Sequence, residues 1–168
     1  MSIIEGVVAN PYRYSLHRDA KIATLVYHYS GCFTFKWRSI LINIANDFEN
    51  GKIHTKTECF DAQDLDFVPH AKFKGVSLKH LVTGAMTGGL ISSHLVRVEP
   101  GCVLDTHIHE KNLEIHEVIS GSAKAMVGEK EVDYLPGVIG VLPAGVPHRI
   151  AAGEEGIYIL AKFTPALV

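Results

Sequence analysis

Beyond residue 60 the chain runs in short β-favouring stretches broken by turn residues, and this cadence limits the fold more than any other feature. The stretches are Leu65 to Val68, Val76 to Thr83, Leu90 to Val98, Leu113 to Ile119, Ala123 to Val127, Glu131 to Leu135, Val138 to Leu142 and Ile157 to Phe163. Runs of this length and spacing imply an all-β antiparallel sandwich or barrel. No internal repeat is visible. With 168 residues the chain has room for one well-buried domain and an extension, and too little for two full domains.

The division falls near residue 60, giving an N-terminal extension over 1-60 and a β-domain over 61-168. Within the extension, Ile22 to Tyr29, the Ser30-Gly31 turn signal and Cys32 to Trp37 predict a hairpin. From Trp37 the period changes: Trp37, Ile40, Leu41, Ile44, Ala45 and Phe48 recur at helical spacing, with Gly51 placed as a stop. The β-branched content of Ile40 to Ile44 leaves a strand open there. The apolar face of Trp37, Ile40, Leu41, Ile44 and Phe48 predicts a homodimer, the alternative being that it caps its own barrel.

Composition excludes several classes. Hydrophobic content of 47%, charged content of 20% and a net charge of -2 describe a globular chain with no basic patch, so no nucleic-acid partner is expected. No apolar run approaches the roughly 20 residues of a membrane span, and the start Met-Ser-Ile-Ile-Glu lacks a basic region followed by an apolar one. A cytoplasmic protein without a membrane partner is the expectation. Cys32, Cys59 and Cys102 form neither a Cys-x-x-Cys pair nor a dense framework, which argues against a disulfide scaffold or a zinc knuckle.

Chemistry concentrates in two stretches. In the first, Gly101 to Gly121, His107 and His109 stand one residue apart, and on an extended segment alternate side chains share a face. A carboxylate, Glu114, follows five residues later and fits a hairpin whose turn is Glu110-Lys111-Asn112. In the second, an apolar run from Gly137 leads through Pro143 and Gly145 to His148. Three imidazoles and a carboxylate suit a divalent zinc, iron, manganese, nickel or cobalt ion and leave an octahedral ion two open positions.

These two stretches resemble the paired motifs of the cupin superfamily. Gly101, His107, His109, Glu114 and Gly121 match the first motif, and Gly137, Pro143, Gly145 and His148 the second. Ala152 stands where an asparagine is usual. The resemblance covers roughly residues 75 to 163 and implies a double-stranded β-helix, a jelly-roll barrel of RmlC-like type, with one divalent ion bound inside by His107, His109, Glu114 and His148. Cupins that decarboxylate oxalate usually carry an arginine where this chain has Leu104, which disfavours that activity.

Further residues are candidates for the pocket. If Glu114 faces inward, strand alternation turns His116 inward with it, where it orients that carboxylate or carries a proton as a catalytic group, the alternative being a histidine hydrogen-bonded across the barrel for structural reasons. His80 shares a face with Val76, Leu78 and Val82, and His94 shares one with Leu90, Val96 and Val98, so both are pocket candidates if those apolar faces line the barrel, the opposite faces with Lys79 and Arg97 being the alternative; Tyr158 in the last strand is a further candidate. His17, His28, His54 and His70 show no ligand spacing and read as incidental. The function expected is that of a metal-dependent enzyme acting on a small anionic, oxygen-rich molecule such as a carboxylate, keto acid or sugar acid. Isomerase, lyase and dioxygenase chemistry are all left open, and the alternative is a non-catalytic metabolite-binding or sensor module.

Overall fold

The structure is a computed structural model that describes residues 21-26 and 34-39 as backbone and residues 43-168 in full. The chain divides into two units, Met1–Ile42 and Asn43–Val168. In the first, β1 (Lys21–Val26) pairs antiparallel with β2 (Thr34–Ser39), from Lys21 opposite Ser39 to Val26 opposite Thr34. The expected hairpin is present, and its turn at Ser30-Gly31 lies outside the described residues.

The expected helix is shorter and starts later. Trp37 belongs to β2, Ile40 and Leu41 lie outside the described residues, and α1 spans Ile44–Asn50. Its start is set by Asn43, whose side chain accepts the Asn46 backbone N–H at 3.1 Å and so satisfies a donor that no preceding turn can reach. Gly51 ends it as expected. The single helical face proposed for dimerisation therefore does not exist as read. Trp37 lies off the helix, and Phe48 packs onto its own unit.

The second unit is built on a bent antiparallel sheet. Its elements after α1 are β3 (Lys52–His54), β4 (Cys59–Asp61), a 3-10 turn (Ala62–Asp64), β5 (Val68–Pro69), β6 (Val76–Val82) and the helical turn α2 (Gly84–Thr87). There follow β7 (Ser92–Val98), β8 (Val103–His107), β9 (Leu113–Val127), β10 (Lys130–Tyr134), β11 (Ile139–Leu142) and β12 (His148–Thr164). Strand order is β10-β9-β12-β7-β6-β5, with β11 also on β9 and β8 also on β12, while β3 and β4 pair separately.

Two long strands hold the barrel together, and they differ from the sequence expectation. Leu113 to Ile119 and Ala123 to Val127 are one strand, β9, and the last strand starts at His148 rather than Ile157. The first part of β12 pairs with β8 and with the end of β9, and its last part pairs with β7 and the start of β9. Register shifts in β12 between Ala152 and Ile157, opposite Gly121, turn both strands through the barrel corner. Gly121 has φ 77°, and a Cβ there would collide with the Gly156 carbonyl, so the corner admits no side chain.

Alternation along these strands separates two cores. Val76, Val96, Val98, Val118, Ile157, Ile159, Ala161 and Phe163 fill the barrel interior. Leu81, Leu95 and Leu160 face the other way and pack under Phe48, Ile53, Ala62, Leu65 and Phe67. Lys79, on that outer face, is only 5% exposed, yet its ammonium donates to the carbonyls of Ala62 at 2.8 Å and Glu49 at 3.0 Å. A buried cation without such acceptors would cost several kcal/mol. Lys79 thus bonds the residue 43-67 segment to the sheet.

Candidate metal centre

His107 ends β8 and lies opposite His148, the first residue of β12. His109 follows just beyond β8, and its carbonyl accepts the Gly145 N–H at 2.9 Å, which ties the Pro143 to Pro147 turn to the His109 segment. Glu114 comes from β9, where Glu114, His116 and Val118 are the inward, buried positions. The hairpin expected between the His107 and Glu114 segments is not formed. Both β8 and β9 hydrogen-bond to β12 instead, so the histidine pair and the carboxylate reach the same interior from different parts of the barrel wall.

The four side chains converge. Glu114 Oε2 lies 3.1 Å from His148 Nε2 and 3.4 Å from His109 Nε2. The His107 ring centroid is 4.1 Å from that of His148 and 5.1 Å from that of His109. Two overlapping groups have donor atoms close enough to hold one ion: His107, His109 and His148, and Glu114, His116 and His148.

Backbone acceptors fix which ring nitrogen is free. His107 Nδ1–H donates to the Asp105 carbonyl at 2.8 Å and His148 Nδ1–H to the Val146 carbonyl at 3.2 Å. Because a carbonyl can only accept, each ring holds a proton on Nδ1, and as a neutral imidazole presents a bare Nε2 lone pair. Burial pushes the His107 pKa down to about 4 against the opposing bond to Asp105, and burial likewise lowers that of His109 against the pull of Glu114. Both rings are therefore neutral near pH 7, the form that binds metal.

Glu114 is anchored from behind. Burial acts to raise its pKa, but the electrostatic pull and hydrogen bond of His116 prevail, with His148 adding to them, and hold it well below the usual carboxylate range. His116 Nε2–H donates to Glu114 Oε1 at 2.7 Å, and the Tyr134 hydroxyl, 3.2 Å away, donates to His116 Nδ1. Burial raises the Tyr134 pKa to about 12, so the phenol keeps its proton. Gly140 makes room for this contact, since a Cβ there would collide with the Tyr134 hydroxyl. The other carboxylate oxygen, Oε2, and His148 Nε2 are buried with no hydrogen-bond partner at all.

A cavity of about 80 Å³ opens beside these groups, lined by Leu104, His107, His109, Glu114 and Phe163, with His70 and Leu167 also on its wall. A larger hollow of about 350 Å³ beside α1 is lined by Asp47, Phe48, Lys52, Ser93 and mainly apolar residues and contains no imidazole.

Other expected pocket residues fall elsewhere. His80 and His94 do lie on the inward faces of β6 and β7, but they bond to each other through Nδ1 atoms 2.8 Å apart, and neither lines the cavity. Tyr158 is a correction: it sits in the outer core with Leu160, because Ile157, Ile159 and Ala161 take the inward positions of β12. His116 is only 2% exposed, with both nitrogens engaged, and does not line the cavity. Tyr134, Phe163 and His70 escaped the sequence reading as site residues. Phe163, 5.0 Å from the His109 ring, is signalled only by its place on the inward face of β12.

Residues 94–161 match the family model described as Cupin domain. Among solved structures, KdgF from Halomonas sp. is 20% identical with a TM-score of 0.55, covering 61% of this chain and 88% of that one. An RmlC-like cupin from Shewanella frigidimarina is 15% identical with a TM-score of 0.54, covering 62% and 87%. A variant of the oxalate decarboxylase of Bacillus subtilis is 26% identical with a TM-score of 0.55, covering 63% of this chain but 29% of that longer one. No curated protein matches the chain in sequence.

Proposed function

We propose that this chain, which belongs to the cupin superfamily, is a metal-dependent enzyme acting on a small oxygen-rich anion at the end of its barrel cavity. The observation that carries the reading is the pair of buried, unpartnered atoms Glu114 Oε2 and His148 Nε2, 3.1 Å apart. Two lone pairs facing each other in a dry interior repel and forgo their hydration. A cation between them removes both costs, and the remaining ligands would be His107 and His109.

The donor set of three neutral imidazoles and one carboxylate fits a divalent first-row ion. Such an ion supplies Lewis acidity at a carbonyl or enolate oxygen, an acidified water or, for a redox-active metal, electron chemistry. The protein's own groups do the positioning. Asp105 and Val146 carbonyls hold the rings of His107 and His148 with Nε2 inward, and His116 holds Glu114. His116 is a positioning residue rather than a group that touches substrate.

The anion preference follows from charge and space. A divalent ion with one carboxylate ligand leaves a net positive centre, while the walls from Val76, Leu78, Val96, Leu104 and Phe163 are apolar. The cavity of about 80 Å³ has room for the carboxylate or keto-acid group of a small ligand beside these side chains. Leu104 puts an apolar side chain on that wall where oxalate decarboxylases usually carry arginine, which speaks against oxalate as substrate.

Metal analysis of protein purified without chelating resin, with identification of any copurifying small molecule, tests this reading. One divalent ion per chain is expected, and keto acids or dicarboxylates should raise the melting temperature of the metal-loaded protein only. A metal-free protein that none of these anions stabilises would overturn it. Turnover of a bound anion separates the enzyme from a metabolite sensor.

A further inference from the structure

His70 lies at the neck of the loop between β5 and β6, with its backbone N–H on the Val76 carbonyl at 2.8 Å. Its ring turns back on that loop. Nδ1 accepts the backbone N–H groups of Lys72 at 3.1 Å and Phe73 at 3.3 Å, and the ring stacks on Phe73 with centroids 4.6 Å apart. Phe73 in turn stands 5.7 Å from His107.

Two donors converging on Nδ1 allow no proton there. The single proton of the neutral ring must sit on Nε2, at the opposite edge, and among the described residues no protein group accepts from it. The ring is half-buried and lines the same cavity as His107, His109 and Glu114. Burial and the nearby Lys72 ammonium also lower its pKa, so it is an uncharged donor near pH 7. A fixed N–H on the wall of this cavity, with no acceptor among the described residues, is complementary to a ligand oxygen.

Resting on the metal-and-anion reading of the cavity, we propose that His70 is a ligand-recognition residue whose Nε2–H donates to an oxygen of the bound anion. The β5-β6 loop thereby reads the part of the ligand turned away from the metal. An oxygen that can only accept, such as a carboxylate, satisfies this donor, whereas an ammonium or alkyl group in its place leaves the N–H without a partner.

His70→Asn separates recognition from loop structure. The shorter carboxamide puts an oxygen near the position of Nδ1, where it can take the Lys72 and Phe73 N–H groups as in an Asx turn, but nothing reaches the position of Nε2. His70→Gln does the reverse, carrying an amide N–H to the outer position. With metal-loaded protein and pyruvate and malonate as probes in calorimetry, His70→Asn should keep the melting temperature and weaken binding about tenfold, and His70→Gln should recover part of that loss. Equal affinity of wild type and His70→Asn would overturn the role of His70 while leaving the anion site standing. Failure of wild type to bind either probe would overturn both. A ¹H–¹⁵N imidazole spectrum checks the tautomer without any ligand: a proton found on Nδ1 of His70 would also overturn the proposal.

Discussion

The barrel contains two clusters of buried histidine, built on neighbouring strands and opposite in character. In one, His94 is fully buried, bonds through Nδ1 to His80 and through Nε2 to Ser92 at 2.9 Å, and Ser92 accepts the Leu167 N–H at 2.9 Å. Every nitrogen of His94 has a partner within the protein. In the other, His107 and His148 spend one nitrogen on a backbone carbonyl and aim the second at a shared space with Glu114. Burial and imidazole count do not tell the two apart. What does is whether the polar atoms are satisfied, and a buried polar atom left unpaired in a well-packed barrel calls for a group from outside the chain.

The contrast breaks most sharply on metal content. His107→Ala combined with His109→Ala should reduce bound divalent metal from one ion per chain to none by mass spectrometry, whereas His80→Ala should keep full stoichiometry. Metal retained by the double variant, or lost in His80→Ala, would erase the distinction. Chelation gives the next largest effect. With metal at about a thousand times its dissociation constant, binding to the folded state alone contributes about 4 kcal/mol, and each kcal/mol is worth roughly 2–4 °C for a chain of this size. Adding a chelator should lower the melting temperature of wild type accordingly and leave that of the double variant unmoved.

Acid sharpens the closed cluster. Burial lowers the His94 pKa to about 4, with His80 adding to the effect and Glu114 opposing it. Below about 6.5 the unfolded chain takes up a proton at His94 that the folded chain refuses until about pH 4, so stability is lost as pH falls through that window and regained as it rises. The full span corresponds to at most about 3 kcal/mol. In chemical denaturation of metal-free protein between pH 7 and pH 4, His94→Gln should show a shallower loss than wild type. Contributions from His107 are common to both proteins and cancel in the difference. Parallel curves would mean that His94 takes up its proton in the fold as readily as in the unfolded chain.

The sequence revealed the open cluster far better than the closed one. His107, His109, Glu114 and His148 sit in short motifs whose spacing survives any error in strand pairing, which is why the hairpin reading could fail while the convergence held. Strand faces were less legible. His94 and Val96 alternate inward as expected, but Tyr158 reads as inward only until Ile157 and Ile159 are seen to occupy those positions. Trp37 fits a helical period, but it lies in β2, and α1 starts only after its cap at Asn43, six residues later. His70 had no signal at all, because its place at the cavity depends on a loop that a distant strand brings across.

The smallest effect is expected at Tyr134, which no ligand pattern includes. Its hydroxyl is the far end of a line running through His116 to Glu114, and it is the one part of the open cluster that resembles the closed one, since each of its atoms has a partner. Tyr134→Phe removes the hydroxyl and leaves His116 Nδ1 buried without a donor. At 3.2 Å this is a long bond, so a loss of about 1 kcal/mol is expected, or a few degrees in melting temperature. Outer partners of metal ligands cost about 10–100-fold in affinity when removed, but Tyr134 stands one residue further out, and His116 keeps its bond to Glu114 without it. Metal affinity by competition with a fluorescent chelator should therefore fall by less than tenfold. A larger fall would show that the hydroxyl, by holding the His116 ring, holds Glu114 as well. The open cluster would then extend to the barrel's far wall.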